Sequence, residues 1–540
     1  MPRHSPPEAA AADVPGRGVP DAASKGPCAM RLIFVLFDSL IRQTLGPYGG
    51  RSVPTPNFDR LAARSVTFDT HYVGSMPCMP ARRDLMTGRL NFLHRAWGPL
   101  EPFDNAFPEI LRAHRDTYSH LVTDHYHYFE DGGVGFHGRY SSWEFFRGQE
   151  KDKWKGIVKL PIERWRGVYH PTQFDGRTDP NANMPYYVSR MQMEAERDFP
   201  LVRCTEAALE FLDANRSADN WLLHLECFDP HEPFFAAPRF RDGLPTNYRG
   251  PVLDWPRYGQ PGYAAEEEAE LRANYFALLA MCDDYLGRVL DWMDRTNAWA
   301  DTALIVSTDH GLLLGEHEYW GKNRPPFFEE VARIPLFIHH PEKTAGAGSR
   351  RRALTQTMDL MPTILDIFGV PIPPEVTGRS LMPVLADDTP VREGALFGQF
   401  GGAVNLADGR FVYMRYPEGA AGETPLHHYT LMPVHMRSFF EPAELAGAAL
   451  AGPFGFTKGM PVLKLPLVPD AAANMIHRYP LLDARTAVFD LDADPAQQAP
   501  LAAPAEATRL ADLLAALMAE QEAPPEAFAR LGLAGDTSRG

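Results

Sequence analysis

Unbroken apolar runs set the frame of this chain. Leu32-Ile33-Phe34-Val35-Leu36-Phe37 holds no polar position. A strand covered on both faces of a parallel sheet requires such a run. Similar runs recur at Ser119 to Thr123, Trp221 to Leu225, Ala303 to Ser307 and Pro335 to Ile338. Helical patterns lie between them. The clearest places Leu271, Tyr275, Leu278, Cys282, Leu286, Val289 and Met293 at three- and four-residue spacing, one face of a long helix. The Met and aromatic members of that stripe read as core. Strands alternating with helices predict a layered α/β fold.

Polar clusters follow several of these runs: Asp38, then Glu226-Cys227-Phe228-Asp229-Pro230-His231, then Thr308-Asp309-His310-Gly311. Ligands in such sheets bind beyond the carboxyl ends of the strands. The three clusters should therefore meet on one rim.

Past the centre the pattern changes. Pro371 to Pro390, rich in Pro and acidic residues, reads as a linker or long connection. Short segments such as Ala395 to Gly398 and Arg410 to Met414 suggest a small antiparallel sheet. A final amphipathic helix is expected from Ala505 to about Gln521, with Leu510, Leu513, Leu514 and Leu517 on its apolar side. Residues 1–29 carry Pro, Ala and Gly but no apolar core. They read as a disordered tail rather than a signal peptide, and Met30 is an alternative start. A cytoplasmic protein is expected.

Composition narrows the function. The chain has 540 residues, 45% of them hydrophobic, enough for more than one lobe. Its net charge is −16 with no long basic run, which argues against nucleic acid and anionic membrane as partners. Five scattered cysteines (Cys28, Cys78, Cys204, Cys227, Cys282) without C-x-x-C argue against a disulfide framework or a zinc-cysteine site.

The most telling stretch is Met76-Pro77-Cys78-Met79-Pro80-Ala81-Arg82-Arg83-Asp84. Its core, C-x-P-x-R, is the pattern at which a cysteine is oxidised to formylglycine. The bland alternative is a buried cysteine beside a helix start. Pro80 suits the first turn of a helix and Gly88 suits its end. Cys78 would then sit at a helix N-terminus, where free N–H groups and the helix dipole favour an anion. Hydrated formylglycine carries two hydroxyls on one carbon. One can attack a sulfate or phosphate-type ester and the other can expel the product.

Other candidates are less specific alone. Asp38 is either a helix cap or a ligand. Asp309-His310 at a strand end suits a divalent cation such as Mg, Ca or Mn. His125 and His127 share a face if their segment is extended and are candidates for anion binding or base chemistry. His231 lies between Pro230 and Pro233 and is a candidate general acid. Lys322 by itself reads as a surface lysine.

Together these segments resemble the sulfatase family of the alkaline phosphatase superfamily, formylglycine-dependent sulfatases and phosphonate monoester hydrolases included. The resemblance runs in order through Asp38, Thr55-Pro56-Asn57-Phe58-Asp59-Arg60, Cys78 to Arg82, Leu85-Met86-Thr87-Gly88-Arg89, Ser307-Thr308-Asp309-His310-Gly311, Gly315-Glu316-His317, Gly321-Lys322, Arg333-Ile334-Pro335-Leu336, Met358 to Leu365, and Phe489-Asp490-Leu491-Asp492. It implies an alkaline-phosphatase-like catalytic domain over 30–385, an α/β fold with a large mixed, mostly parallel sheet sandwiched by helices. A smaller C-terminal α+β subdomain over 386–540, with a small antiparallel sheet and a terminal helix, is expected after it.

The resemblance also implies site roles. Cys78 becomes formylglycine and joins Asp38, Asp309 and His310 at one divalent metal. Arg82 steadies the nucleophile. His231 and Lys322 contact the transferred group and protonate the leaving oxygen. His125 binds the anion and His127 is the base toward the second hydroxyl. The partners implied are a formylglycine-generating enzyme and a small sulfate, phosphate or phosphonate ester.

Two departures matter. Asp38-Ser39 stands where many members have two Asp, and His310 replaces a common Asn. Phosphonate monoester or phosphodiester hydrolysis is thus the nearest alternative to sulfate ester hydrolysis. A non-catalytic member with unmodified Cys78 is another, and an enzyme using Ser39 or Ser75 a further one. His427 and His428 are candidates for contacts in a homo-oligomer.

Overall fold

The computed structural model describes residues 30–174, 184–323, 326–417, 422–468 and 485–533. The expected tail, residues 1–29, lies outside the described residues. Strands β1 (Arg31–Phe37), β2 (Val66–Phe68), β3 (Tyr118–Thr123), β4 (Ser142–Phe145), β5 (Trp221–Cys227), β6 (Thr302–Thr308), β7 (Leu336–His339) and β8 (Arg350–Arg351) form one sheet in the order β8-β2-β7-β6-β1-β5-β3-β4. Only β7 runs antiparallel to its neighbours. All five apolar runs read from the sequence are strands of this sheet.

Five helices pack against the sheets: α1 (Cys78–Thr87), α2 (Pro200–Ala214), α3 (Ala265–Thr296), α4 (Leu360–Ile367) and α5 (Pro504–Glu520). The alternation of β1 shows why its run has no polar residue. Ile33, Val35 and Phe37 pack with α2 and α3 on one face. Leu32, Phe34 and Leu36 pack with α1 and α4 on the other. Burying each such side chain contributes roughly 1.5–3 kcal/mol, and both faces are dry. The whole predicted stripe from Leu271 to Met293 is buried on α3.

Register then creates the rim. Phe37 lies opposite Cys227 of β5 and Thr308 of β6. The three central strands end level, so Asp38, Phe228 and Asp309 leave the sheet side by side.

The C-terminal part holds a four-stranded antiparallel sheet (Ala395–Gly398, Val404–Ala407, Phe411–Arg415, Ala487–Asp490). Helix α5 packs Leu510, Leu514 and Met518 into the core beside it. A three-stranded sheet (His427–Thr430, Ala449–Ala451, Val462–Pro466) was not anticipated.

Pro371 to Pro390 is no loose linker. Val376, Leu381, Val384 and Leu385 are buried in the main core, and the N–H groups of Thr377 and Gly378 donate to the Gly88 carbonyl at 3.1 and 2.9 Å. His428 lies in the interior, whereas His427 is partly exposed. His428 is buried and stacks on Phe400 with ring centroids 4.7 Å apart. His427 Nδ1 pairs with Glu526 at 2.8 Å. Among the described residues no helix is long and apolar enough to cross a membrane.

Candidate active site

Helix α1 starts at Cys78 and ends at Gly88, whose left-handed φ of 70° needs glycine. Asp84, one turn and a half along, ties the preceding segment down. Its carboxylate accepts from Ser75 N at 2.6 Å, Ser75 Oγ at 2.8 Å and Asn91 Nδ2 at 2.7 Å. Residue 78 is thus fixed from both sides, with its side chain 3% exposed. The same bonds occupy Ser75 Oγ, which argues against Ser75 as a nucleophile.

One ligand atom each from Asp38, Cys78, Asp309 and His310 lie within 4.8 Å of one another. His310 Nδ1 donates to the Gly311 carbonyl at 3.0 Å. That leaves the Nε2 lone pair facing Cys78 Sγ and Asp309 Oδ2, each at 3.3 Å. Burial and the charge of Lys322 hold His310 well below its ordinary pKa, so its imidazole is neutral and able to act as a ligand. Asp38 Oδ2 is buried and makes no hydrogen bond among the described residues, though the Arg82 guanidinium lies 3.1 Å from it. Burial, then Asp38, push Asp309 well above the usual carboxylate range. Two acid side chains and a neutral imidazole converging within 4.8 Å fit a hard divalent cation.

Burial and the neighbouring Asp38 also push the Cys78 thiol well up. A thiol nucleophile acts as its thiolate. With no cation beside it, Cys78 is therefore a poor nucleophile; a bound cation favours the thiolate.

Arg82, one turn into α1, serves three acids. Its guanidinium reaches Glu226 at 2.5 Å, Asp309 at 2.5 Å and Asp38 at 3.1 Å. It also donates to the Cys78 carbonyl at 3.2 Å. Lys322 is not on the surface. It is 2% exposed, donates to Ser39 Oγ at 2.7 Å and lies 3.5 Å from Glu232 and 3.6 Å from Asp38. Burial opposes its charge, but Glu232 and the other acids outweigh burial and raise its pKa. Ser39 in turn donates Oγ to Asp38 Oδ1 at 2.7 Å and its N–H to Asp309 Oδ1 at 3.1 Å. These bonds hold it in the left-handed region, φ 62°, at a cost of order 1 kcal/mol. Ser39 orients the acids, and its hydroxyl is not free.

The segment carrying His125 and His127 is not extended. Residues 126–129 form a 3₁₀ turn, because the chain leaves β3 and must reverse. The rings still lie together, centroids 5.1 Å apart. His125 is buried with both ring nitrogens unpartnered among the described residues, Nδ1 lying 4.0 Å from Asp38. His127 Nδ1 pairs with Glu130 at 2.5 Å. His231 packs against Phe228, centroids 4.2 Å apart with the rings tilted by 41°, and directs Nδ1 to the Glu232 carbonyl. Burial lowers its pKa despite Glu232.

Sequence reasoning assigned no role to the acids that surround these groups: Glu226, Glu232, Glu130 and Glu150. One signal was present. Glu226 is the lone acid in the apolar run Trp221 to Cys227, and a buried acid in a strand needs a partner.

The sulfatase family model matches residues 31–370. The multifunctional alkaline phosphatase superfamily protein PehA of Trinickia caryophylli is 29% identical over 391 residues, covering 62% of this chain and 72% of that protein. The N-acetylglucosamine-6-O-sulfatase of Bacteroides thetaiotaomicron is 24% identical over 405 residues, 66% of this chain and 71% of its own. Among solved structures, the phosphonate monoester hydrolase of Agrobacterium radiobacter aligns with a TM-score of 0.59 at 18% identity, over 91% of this chain and 96% of its own.

Proposed function

The chain belongs to the sulfatase family, and on that premise we propose that it cleaves a sulfate ester with formylglycine made from Cys78 and a divalent cation held by Asp38, Asp309 and His310. The observation that carries this reading is the placement of residue 78. Cys78 occupies the helix N-terminus and faces the ligand cluster. The position has the geometry of a nucleophile held against a cation. An aldehyde hydrate puts two hydroxyls there, where a thiol has none.

The cation would stabilise negative charge on the ester oxygens and on the attacking oxygen. Formylglycine would supply one hydroxyl for attack and a second to release the product. The protein's own groups do the rest. Arg82 fixes residue 78 through its carbonyl. Lys322 and the unpartnered nitrogens of His125 face the place where the ester's anionic oxygens must lie. Lys322 keeps its proton and can give a hydrogen bond to the leaving oxygen. His231 rests neutral, and the negative charge of a bound ester favours its imidazolium, from which Nε2 delivers a proton. His127 accepts the proton of the second hydroxyl.

The test is a mass spectrum of the peptide spanning residue 78 from active protein. The aldehyde lowers its mass from the thiol value, and fully active protein with an intact thiol refutes the proposal. A second reading has its own support. Ser39 stands beside Asp38 and takes a bond from Lys322, so the site has one fewer carboxylate than a double-Asp site. That lowers the barrier to phosphodiesters and phosphonate monoesters. Comparing kcat/KM for an aryl sulfate and an aryl phosphonate monoester on the same preparation decides between them.

A further inference from the structure

We propose that Glu130 is a positioning residue for His127, and that Arg437, from the C-terminal part of the chain, locks Glu130 in place. This rests on the reading of His127 as the base of the second half-reaction. His127 Nδ1 meets Glu130 Oε2 at 2.5 Å. The other oxygen, Oε1, takes Arg437 Nε at 2.5 Å. Arg437 Nη2 donates to Tyr126 Oη at 2.9 Å, and Tyr126 donates to Glu150 Oε2 at 2.6 Å. The ring between them is wedged by the Trp97 indole, centroids 4.9 Å apart at 79°.

This arrangement sets a tautomer. Glu130 is an acceptor, kept ionised against burial by His127 and Arg437. Nδ1 of a neutral His127 must therefore carry the hydrogen. Nε2 then holds a lone pair. Its nearest charged neighbour, Glu150 Oε2, lies at 3.6 Å, beyond hydrogen-bond distance, and already accepts from Tyr126. Nε2 is free to take a proton from the second hydroxyl of residue 78 as the carbonyl re-forms and the bond to the transferred group breaks.

Arg437 does not reach this place by chance of a long side chain. Its loop is pinned on the main-chain level. Gly132 N donates to Met436 O at 3.0 Å, and His435 N to Ser438 O at 2.8 Å. Arg95 donates to Val434 O at 3.1 Å. No Cβ fits at Gly132, where it would meet Met436 Cα at 2.8 Å. The strand-rich C-terminal part thus supplies a group to the site, not only a wall beside it.

The experiment compares E130A, E130Q, R437M and H127Q. Release of the aryl alcohol from an aryl sulfate is followed before and during the steady state. The imidazole tautomer of His127 is read by nitrogen NMR on unreacted protein at alkaline pH. E130A should lower steady-state kcat about 100-fold while the first-turnover burst persists, and should lose the Nδ1–H signature. E130Q keeps an acceptor oxygen and should keep the tautomer, which separates positioning from misfolding. R437M should fall about tenfold, again with its burst intact. E130A with wild-type kcat and tautomer overturns the proposal. R437M that matches wild type in both overturns the part given to Arg437. H127Q with full turnover sinks the underlying reading of His127 instead. A dead H127Q beside an undisturbed E130A sinks only the positioning claim.

Discussion

Arg82→Met removes the one cation shared by Glu226, Asp309 and Asp38. Met nearly preserves the buried stem volume, so the transfer term is small. The loss is electrostatic. Breaking a buried ion pair by deleting one partner costs about 3–5 kcal/mol, since the other charge stays buried and unpaired. Here three acids lose a partner, though a proton on Asp309 relieves one of them. Loss of the bond to the Cys78 carbonyl adds about 1 kcal/mol. A destabilisation of about 5 kcal/mol is expected, a large share of the roughly 5–15 kcal/mol that holds a typical domain folded. Arg82→Lys keeps the charge but cannot reach three acids from a single ammonium, and should lose about half as much.

The assay is urea unfolding of each variant in a Cys78→Ala background, with and without millimolar Ca or Mn. A cation at 100 times its dissociation constant returns about 2.7 kcal/mol, and it should help Arg82→Met more than wild type. An Arg82→Met protein within 1 kcal/mol of wild type would refute this account of the site's charge balance.

Cys78→Ser has one hydroxyl and nothing to expel the product. It should stop as a covalent adduct that a mass spectrum of intact protein detects, and multiple turnover by it would count against the two-hydroxyl scheme. Chelation should abolish activity and lower the melting temperature, with both restored by Ca, Mn or Mg; full activity in stripped protein removes the cation from the mechanism. Asp84 gives a pH test. Burial, only partly offset by bonds from Ser75 and Asn91, raises its pKa to about 7. The folded state then holds a proton that the unfolded state releases near pH 4. Asp84 therefore contributes stability that is complete below the unfolded pKa and is lost as pH rises through about 7. Wild type should lose about 1.4 kcal/mol per pH unit relative to Asp84→Asn between pH 5 and 7. Parallel unfolding curves would show that the carboxyl is ionised throughout.

The sheet was legible because burial on both faces leaves a plain mark. No polar residue interrupts Leu32 to Phe37, and the run is the central strand. Its helical partner was legible for the same reason, through the stripe on α3. The site was legible where chemistry coincides with a strand end, as at Asp38 and Asp309, or with a helix start, as at Cys78. Lys322 was misread because nothing local marks it as buried. Its partners Ser39 and Glu232 are 283 and 90 residues away in the chain. The turn at Tyr126 escaped notice because alternating His and Tyr fit a strand as well as a 3₁₀ turn. The three-stranded sheet escaped because its strands are only three to five residues long, with no alternation strong enough to read.

Residue 78 opens α1 next to the Asp84 clamp and is buried, with almost no surface for another protein to grip. If its thiol is to be oxidised, the oxidising enzyme must reach it while the surrounding chain is still open. Each newly made molecule then faces a race between closure of the sheet and arrival of that enzyme. Those that close first are well folded and permanently inert, so the active fraction of a preparation reports the order of two events in the chain's history rather than the quality of its fold.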